Sequence, residues 1–260
     1  LKIDIAERLN YPPDLVILAT KTQDIESAIK DNLEFFRDAT VLTTQNGVRA
    51  DELVAQYIPK ENIISSIIMF GATYLPPQPM DRCGGLEPVK IVHNFEGSWI
   101  MGRIFQKNDQ RVLELSKVLA QIFPTIVSED LKGMKYLKIF VNANNCLPAI
   151  LGVSMQETFS DIEVSRISIA IWKEGLEIIA KSKINLVSLP DFPIERLSKL
   201  TSLPSPEAAK IFSGIMTNLS KAPLYGSILQ SLKRKRASEI DYINGEFINL
   251  AKENNLSAPL

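Results

Sequence analysis

Apolar residues follow two rhythms along this chain, and the change from one to the other divides it. In the first half, short continuous apolar runs alternate with stretches in which apolar residues recur every three or four positions. Asp14 to Thr20 (DLVILAT), bounded by Pro12-Pro13 and Lys21, has the form of a buried parallel strand. Between Asp24 and Phe36 the residues Ile25, Ala28, Ile29, Leu33 and Phe36 make one helical stripe. Strand then helix recurs. Ala39 to Thr44 (ATVLTT) leads into Gln45-Asn46-Gly47 and a helical pattern through Leu53, and Asn62 to Phe70 is a third apolar strand. This alternation predicts a parallel, doubly wound sheet. Val89 to Asn94 and Ser98 to Arg103, joined by Phe95-Glu96-Gly97, read as an antiparallel hairpin added to that sheet. A helix from Asp109 to Phe123, stopped by Pro124, closes this half.

After residue 127 the pattern becomes long helical periodicity, with only Ile184 to Leu189 ambiguous. Predicted helices span 129–146, 160–182, 206–219 and 227–254, punctuated by Pro190, Pro193, Pro204 and Pro206. The fold expected is therefore α/β plus α: a sheet domain over 1–126 and a mainly helical domain over 127–260.

Hydrophobic residues are 45% of the chain and charged residues 23%, the usage of a globular protein rather than a disordered one. A formal net charge of -1 leaves no broad basic surface, so nucleic acid is not an expected partner. Cys83, Cys146 and His93 are the whole complement of cysteine and histidine, too few for a disulfide scaffold or a zinc site, and no metal is expected. The longest apolar candidate, Asn62 to Phe70, is interrupted by Ser65 and Ser66 and is far short of the ~18 residues of a membrane helix. A soluble, cytoplasmic protein follows as the expectation. Leu1 in place of Met, and an Asn255 to Leu260 stretch that reads as a loop entering another element, predict a piece of a longer protein.

In open parallel sheets ligands sit beyond the carboxyl ends of strands. Lys21 ends the first predicted strand and Asn46 follows the second, so a lysine can neutralise a cofactor phosphate while a carboxamide both donates and accepts. A solvated lysine and an ordinary Asn-Gly turn are the plainer alternative. A dinucleotide site also calls for G-x-G-x-x-G at a strand-to-helix turn, yet the 12 glycines contain no G-x-G pair. Either no such cofactor binds, or its glycine loop lies upstream of Leu1.

The stretch Leu137 to Asn145 (LKIFVNANN) is more specific, because Lys138, Asn142 and Asn145 share one face of an otherwise apolar helix. Such a stripe needs partners if it is buried, and a ligand can supply them. A partly desolvated lysine there can serve as a proton donor near neutral pH. The alternative is a snorkelling lysine with asparagines bonded to nearby backbone. Pro148 must kink or stop this helix. Glu239, flanked by Ile240 and Ile243, can approach an apolar wall, although residue type alone favours solvation. His93, with no predicted carboxylate or nucleophile beside it, reads as structural, and the two cysteines as small apolar residues.

Taken in order, DLVILATK, TTQNG, Lys138-x-x-x-Asn142, Ser227 and SEIDYING strongly resemble the ketopantoate reductase family over nearly the whole chain. The resemblance implies a Rossmann-like sheet domain that holds NADP(H) and a helical domain that closes over a small 2-oxoacid, reducing 2-dehydropantoate or a relative of it. It implies Lys138 as general acid, and Glu239 as the carboxylate that binds the substrate hydroxyl and helps hold the lysine. It further implies Asn142 and Ser227 as substrate contacts, and Lys21, Asn46 and the backbone at Ala72 as cofactor contacts. A homodimer is left open. Three positions depart from the family pattern. Cys146 stands where a second asparagine is usual, with Leu147 and then Pro148 after it, so Asn145 is the substitute contact. Leu224, three residues before Ser227, stands where some members carry a substrate-binding asparagine. The competing expectation is an inactive nucleotide-binding or interaction protein of the same fold, which Cys146 and the missing glycine loop favour.

Overall fold

The computed structural model describes residues 5–75 and 90–260. Cys83 and the predicted strand start at Val89 lie outside them.

Three parallel strands, β1 (Leu15–Leu18), β2 (Thr40–Thr43) and β3 (Ile63–Ile68), form one side of a five-stranded sheet. The strand β2 is buried throughout, because both sheet faces are covered. On one face α1 (Ile25–Lys30), α2 (Leu33–Phe36) and α3 (Ala50–Val54) contribute Ile25, Ile29, Phe36, Ala50 and Val54 to a core with Leu18, Val41 and Ile63. The helical stripe over 24–36 is thus real, but it breaks at Asp31-Asn32, where the Asn32 carboxamide donates to the Ala28 carbonyl and accepts from the Leu9 N–H.

Two further strands, β4 (Gly71–Leu75) and β5 (Lys90–Phe95), pair antiparallel as a separate two-stranded sheet. The main sheet is completed by β6 (Trp99–Gly102), antiparallel to β3, and β7 (Thr125–Val127), parallel to β6. The expected hairpin between 89–94 and 98–103 is therefore corrected: these strands pair with different partners. Every position of β6 is buried, which suits a strand between β3 and β7, whereas β5 alternates between exposed and half-buried positions, as an outer ribbon does. The helix α4 (Gln110–Leu119) packs Val112 and Leu119 on the second sheet face. Its N-terminus is capped by Asp109, which accepts from the Val112 N–H at 3.2 Å.

The helical part begins with α5 (Leu131–Ala143) and continues through α6 (Cys146–Leu151), α7 (Met155–Ser160), α8 (Ile162–Lys181), α9 (Ile194–Ser202), α10 (Ser205–Thr217), α11 (Ser227–Lys233) and α12 (Asn244–Glu253). Its core centres on Phe140, Phe159, Trp172 and Phe212. The helix expected over 129–146 stops at Ala143, and Pro148 sits in the first turn of α6, where a missing N–H costs little. The single helix expected over 227–254 is corrected to α11, a 3-10 turn at Ile240–Tyr242 and α12. The basic run after Leu232 ends α11, with Lys235 in a left-handed conformation at φ 55°. The strands β4 and β7 and the helices α7 and α9 are too short or too irregular in pattern to be read from the sequence.

Candidate active site

The carboxyl ends of β1, β2 and β3 face α5 across a cleft. Gln45 prepares this rim, because its buried amide nitrogen donates to the Leu18 and Thr20 carbonyls at 2.7 and 3.0 Å and so ties the end of β1 to β2. Asn46 is thereby presented to the cleft, where its Oδ1 accepts from Asn142 Nδ2 at 3.3 Å. Gly47 follows at φ 87°, and a Cβ there would collide with the Tyr242 carbonyl of the 3-10 turn. The turn therefore needs glycine twice over, for its dihedral and for the close approach of the helical part.

Lys138 rises from α5 into the same cleft, and its Nζ donates to the Ile68 carbonyl at the end of β3. The residue is half-buried and its ammonium has lost most of its water. Burial pulls its pKa down to about 8, and the positive charge of Lys135 one turn earlier adds to the effect. Lys135 itself is buried and paired with Asp51 of α3 at 2.5 Å. Asp51 also accepts from the Thr43 hydroxyl at 2.6 Å and the Ser65 hydroxyl at 2.9 Å, so every charge in this buried network has partners. Sequence reasoning missed this pair because neither residue stands out locally and the two are 84 positions apart.

A cavity of about 470 Å³ opens from this point between the two parts of the molecule. Asn46, Ala72, Lys138, Asn142, Asn145 and Ser227 all line it, so six of the expected residues are brought together. Ser227 arrives as the first residue of α11 after the extended Gly226, which packs against the Asn145 side chain. Cys146 is half-buried, accepts from Asn244 at 3.7 Å, and has its thiol pKa pushed up by burial. His93 lies exposed on β5, with Glu96 3.8 Å away.

Lys21 and Glu239 are placed differently from expectation. Neither lines the cavity; they pair with each other at 2.8 Å. The other Glu239 oxygen accepts from the Thr22 N–H at 3.1 Å and the Thr22 hydroxyl at 2.9 Å. Glu239 is thus occupied at the end of β1 and does not hold Lys138 in this structure. The cause is tertiary: the 3-10 turn after α11 lands on the β1 end, bringing a buried carboxylate to the nearest lysine.

Asn144 is a cavity residue that sequence reasoning passed over. It follows the last residue of α5, lies off the Lys138 stripe by helical geometry, and lines the cavity all the same. Its side chain is buried, and neither Nδ2 nor Oδ1 has a hydrogen-bond partner in the protein. A buried unpaired carboxamide costs about 1–3 kcal/mol, which marks the cleft as shaped for a polar occupant.

The half-open α/β sheet, its strand ends turned toward a helical domain across a lysine and asparagine cleft, is the architecture of a two-domain nucleotide-dependent oxidoreductase. The ketopantoate reductase PanE/ApbA profile matches residues 4–104, and the profile of the C-terminal domain of the same proteins matches residues 130–260. The chain belongs to the ketopantoate reductase family. It is 28% identical over 265 residues to a 2-dehydropantoate 2-reductase of Pyrococcus horikoshii, covering 100% of this chain and 77% of the relative. A 2-dehydropantoate 2-reductase of Pyrococcus abyssi is 25% identical over the same shares. Among solved structures, a ternary complex of D-mandelate dehydrogenase with NADH and anilino(oxo)acetate superposes with a TM-score of 0.70 at 23% identity, covering 98% of this chain and 74% of that one. A dimeric ketopantoate reductase from Staphylococcus aureus gives 0.68 at 13% identity, over 96% and 74%. These structural likenesses establish the fold. Among the described residues no helix is long and apolar enough to cross a membrane.

Proposed function

We propose that this protein reduces 2-dehydropantoate or a related 2-oxoacid to the 2-hydroxy acid with NADPH, using Lys138 as general acid. The observation that carries the reading is the Lys138 ammonium, desolvated to a pKa of about 8 in a cleft it shares with Asn46, Asn142 and Ser227. At neutral pH such a lysine is mostly charged, yet it gives up its proton more readily than an exposed one.

The residues present fit the reacting end of a nicotinamide cofactor. Asn46 and the backbone at Ala72 line the cavity, and the unpaired Asn144 carboxamide offers both a donor and an acceptor there. Lys21, half-exposed beside Glu239 at the end of β1, is the candidate phosphate or ribose contact. When bound, the cofactor supplies a hydride and its electron pair to the carbonyl carbon of the substrate. Lys138 Nζ then gives its proton to the carbonyl oxygen as the C=O π bond opens, and the ammonium stabilises the charge growing there beforehand. Ser227 and Asn142 bind the substrate carboxylate and orient the carbonyl. Asn145 takes the place of the asparagine that Cys146 has replaced. Glu239 acts on Lys21 and not on Lys138, so its part in this reading is to position the cofactor side of the cleft. The Staphylococcus relative is described as dimeric, and a homodimer is proposed here as well.

Cofactor oxidation monitored with 2-dehydropantoate, NADPH and NADH tests this reading. Turnover that requires the 2-oxoacid and falls in Lys138→Ala supports it. Nucleotide binding without oxidation, with every 2-oxoacid tried, supports instead an inactive member of the fold.

A further inference from the structure

The polar residues described above account for only part of the cavity lining. An apolar wall is contributed by Trp172 of α8, Phe192 just before α9, Leu200 of α9, and Phe212 and Met216 of α10. Trp172 meets Phe212 edge-on at 5.2 Å and Phe192 edge-on at 6.0 Å, so the aromatic wall is a packed unit and not a chance exposure. The indole N–H of Trp172 is spent on the Phe140 carbonyl at 2.7 Å, and the ring therefore offers the cavity carbon surface and no donor. Leu224, in the loop before α11, also lines the cavity. Its backbone is held on both sides, by the Gln156 side chain at its N–H and by the Met155 N–H at its carbonyl, each at 2.9 Å. Arg196, which also lines the cavity, lies over the Phe192 ring at 5.6 Å and is exposed.

A hydroxylated substrate tail set against the Trp172, Phe192 and Phe212 rings would give up hydrogen bonds to water and find no replacement in that wall. A hydrocarbon tail would leave water and meet aromatic edges. We propose that the lobe walled by Trp172, Phe192, Phe212 and Leu224 selects 2-oxoacids with a bulky branched or aromatic hydrocarbon side chain over hydroxylated ones, with Leu224 as a specificity-determining residue. This rests on the reductase reading above. The reacting atoms are unchanged: the carbonyl carbon gains a hydride, the oxygen gains the Lys138 proton, and the cofactor leaves oxidised.

The test compares kcat/KM for 4-methyl-2-oxopentanoate, phenylglyoxylate and 2-dehydropantoate, together with quenching of tryptophan fluorescence on titration with 4-methyl-2-oxopentanoate. The apolar acids are expected to lead by roughly ten- to a hundredfold, the range that hydrophobic pockets deliver. Leu224→Asn should lower that ratio by about tenfold while leaving the melting temperature unchanged. Quenching should saturate and should be lost in Trp172→Phe, which retains Trp99. A ratio that favours 2-dehydropantoate, or one that Leu224→Asn leaves unchanged in a folded protein, overturns the proposal even if Lys138-dependent reduction is intact. Saturable, Trp172-dependent quenching with no cofactor oxidation supports the lobe and overturns the reductase reading instead. Absence of saturable quenching overturns the lobe.

Discussion

Lys21 and Glu239, separated by 218 positions in the chain, form an ion pair of 2.8 Å at the end of β1. Glu239 is buried and has a second oxygen filled by Thr22, whereas Lys21 remains half-exposed. This pair joins the helical part to the sheet beside the cleft and leaves Lys138 with the Ile68 carbonyl as its partner.

Glu239→Gln should accordingly raise KM for the cofactor while the alkaline limb of the kcat profile stays in place. Glu239→Ala should also lose about 1–3 kcal/mol of stability, since it orphans the buried Thr22 donors. Steady-state kinetics across pH and urea unfolding check both. A shift of the limb in Glu239→Gln would mean that its charge reaches Lys138 after all.

Lys138→Ala should lower turnover by about 10²-fold or more, the scale of a lost general acid. Lys138→Met should be equally slow but no less stable than the parent at pH 7. The sign follows from the shift: a lysine whose folded pKa is about 8 against an ordinary 10.5 destabilises the fold while charged. That cost is fully present below pH 8 and is gone above pH 10.5, so any gap in melting temperature should close across this window.

In the direction of reduction, kcat should be flat near neutrality and fall as pH rises through about 8, because the acid must be protonated. The reverse oxidation should rise over the same range, since it needs the neutral amine. A pH profile measured in both directions with saturating ligands checks the mirror relation.

The buried Lys135–Asp51 pair should tolerate no single break. Asp51→Asn or Lys135→Met each leaves one charge buried without its partner and should cost about 3–5 kcal/mol. Where Lys135→Met still folds, the alkaline limb should move upward, because a like charge that disfavoured the Lys138 ammonium is gone. Denaturant midpoints and the pH profile of this one variant separate the two effects.

Asn144→Leu should stabilise the free protein, as it removes two unpaired buried polar atoms, and should weaken binding in the cleft. Thermal unfolding with and without NADPH reads both: a higher melting temperature alone and a smaller rise on adding ligand.

Local pattern was enough to place β1, β2, β3, α4, α8 and α10, because their apolar spacing is decided by which face each element buries. The Lys138–Asn142 stripe was legible for the same reason, since four residues of helix put both side chains on one face. The interruption of this helix was legible only roughly: Pro148 announces it, but the helix already ends at Ala143 and Pro148 lies in the first turn of α6. The pairing of β6 with β3 and β7 was not. Strand neighbours depend on which long-range contacts bury all four positions of Trp99–Gly102, and a short linker such as Phe95-Glu96-Gly97 does not oblige the strands beside it to pair. The same limit applies at the cleft. Composition and spacing determined that a lysine and asparagines share a helix face. Only the docking of the helical part on the strand ends decided that Glu239 reaches Lys21 and that Lys135 reaches Asp51. Each of these contacts is made between residues far apart in the chain, and its energy comes from burial and pairing that exist only once both parts have folded.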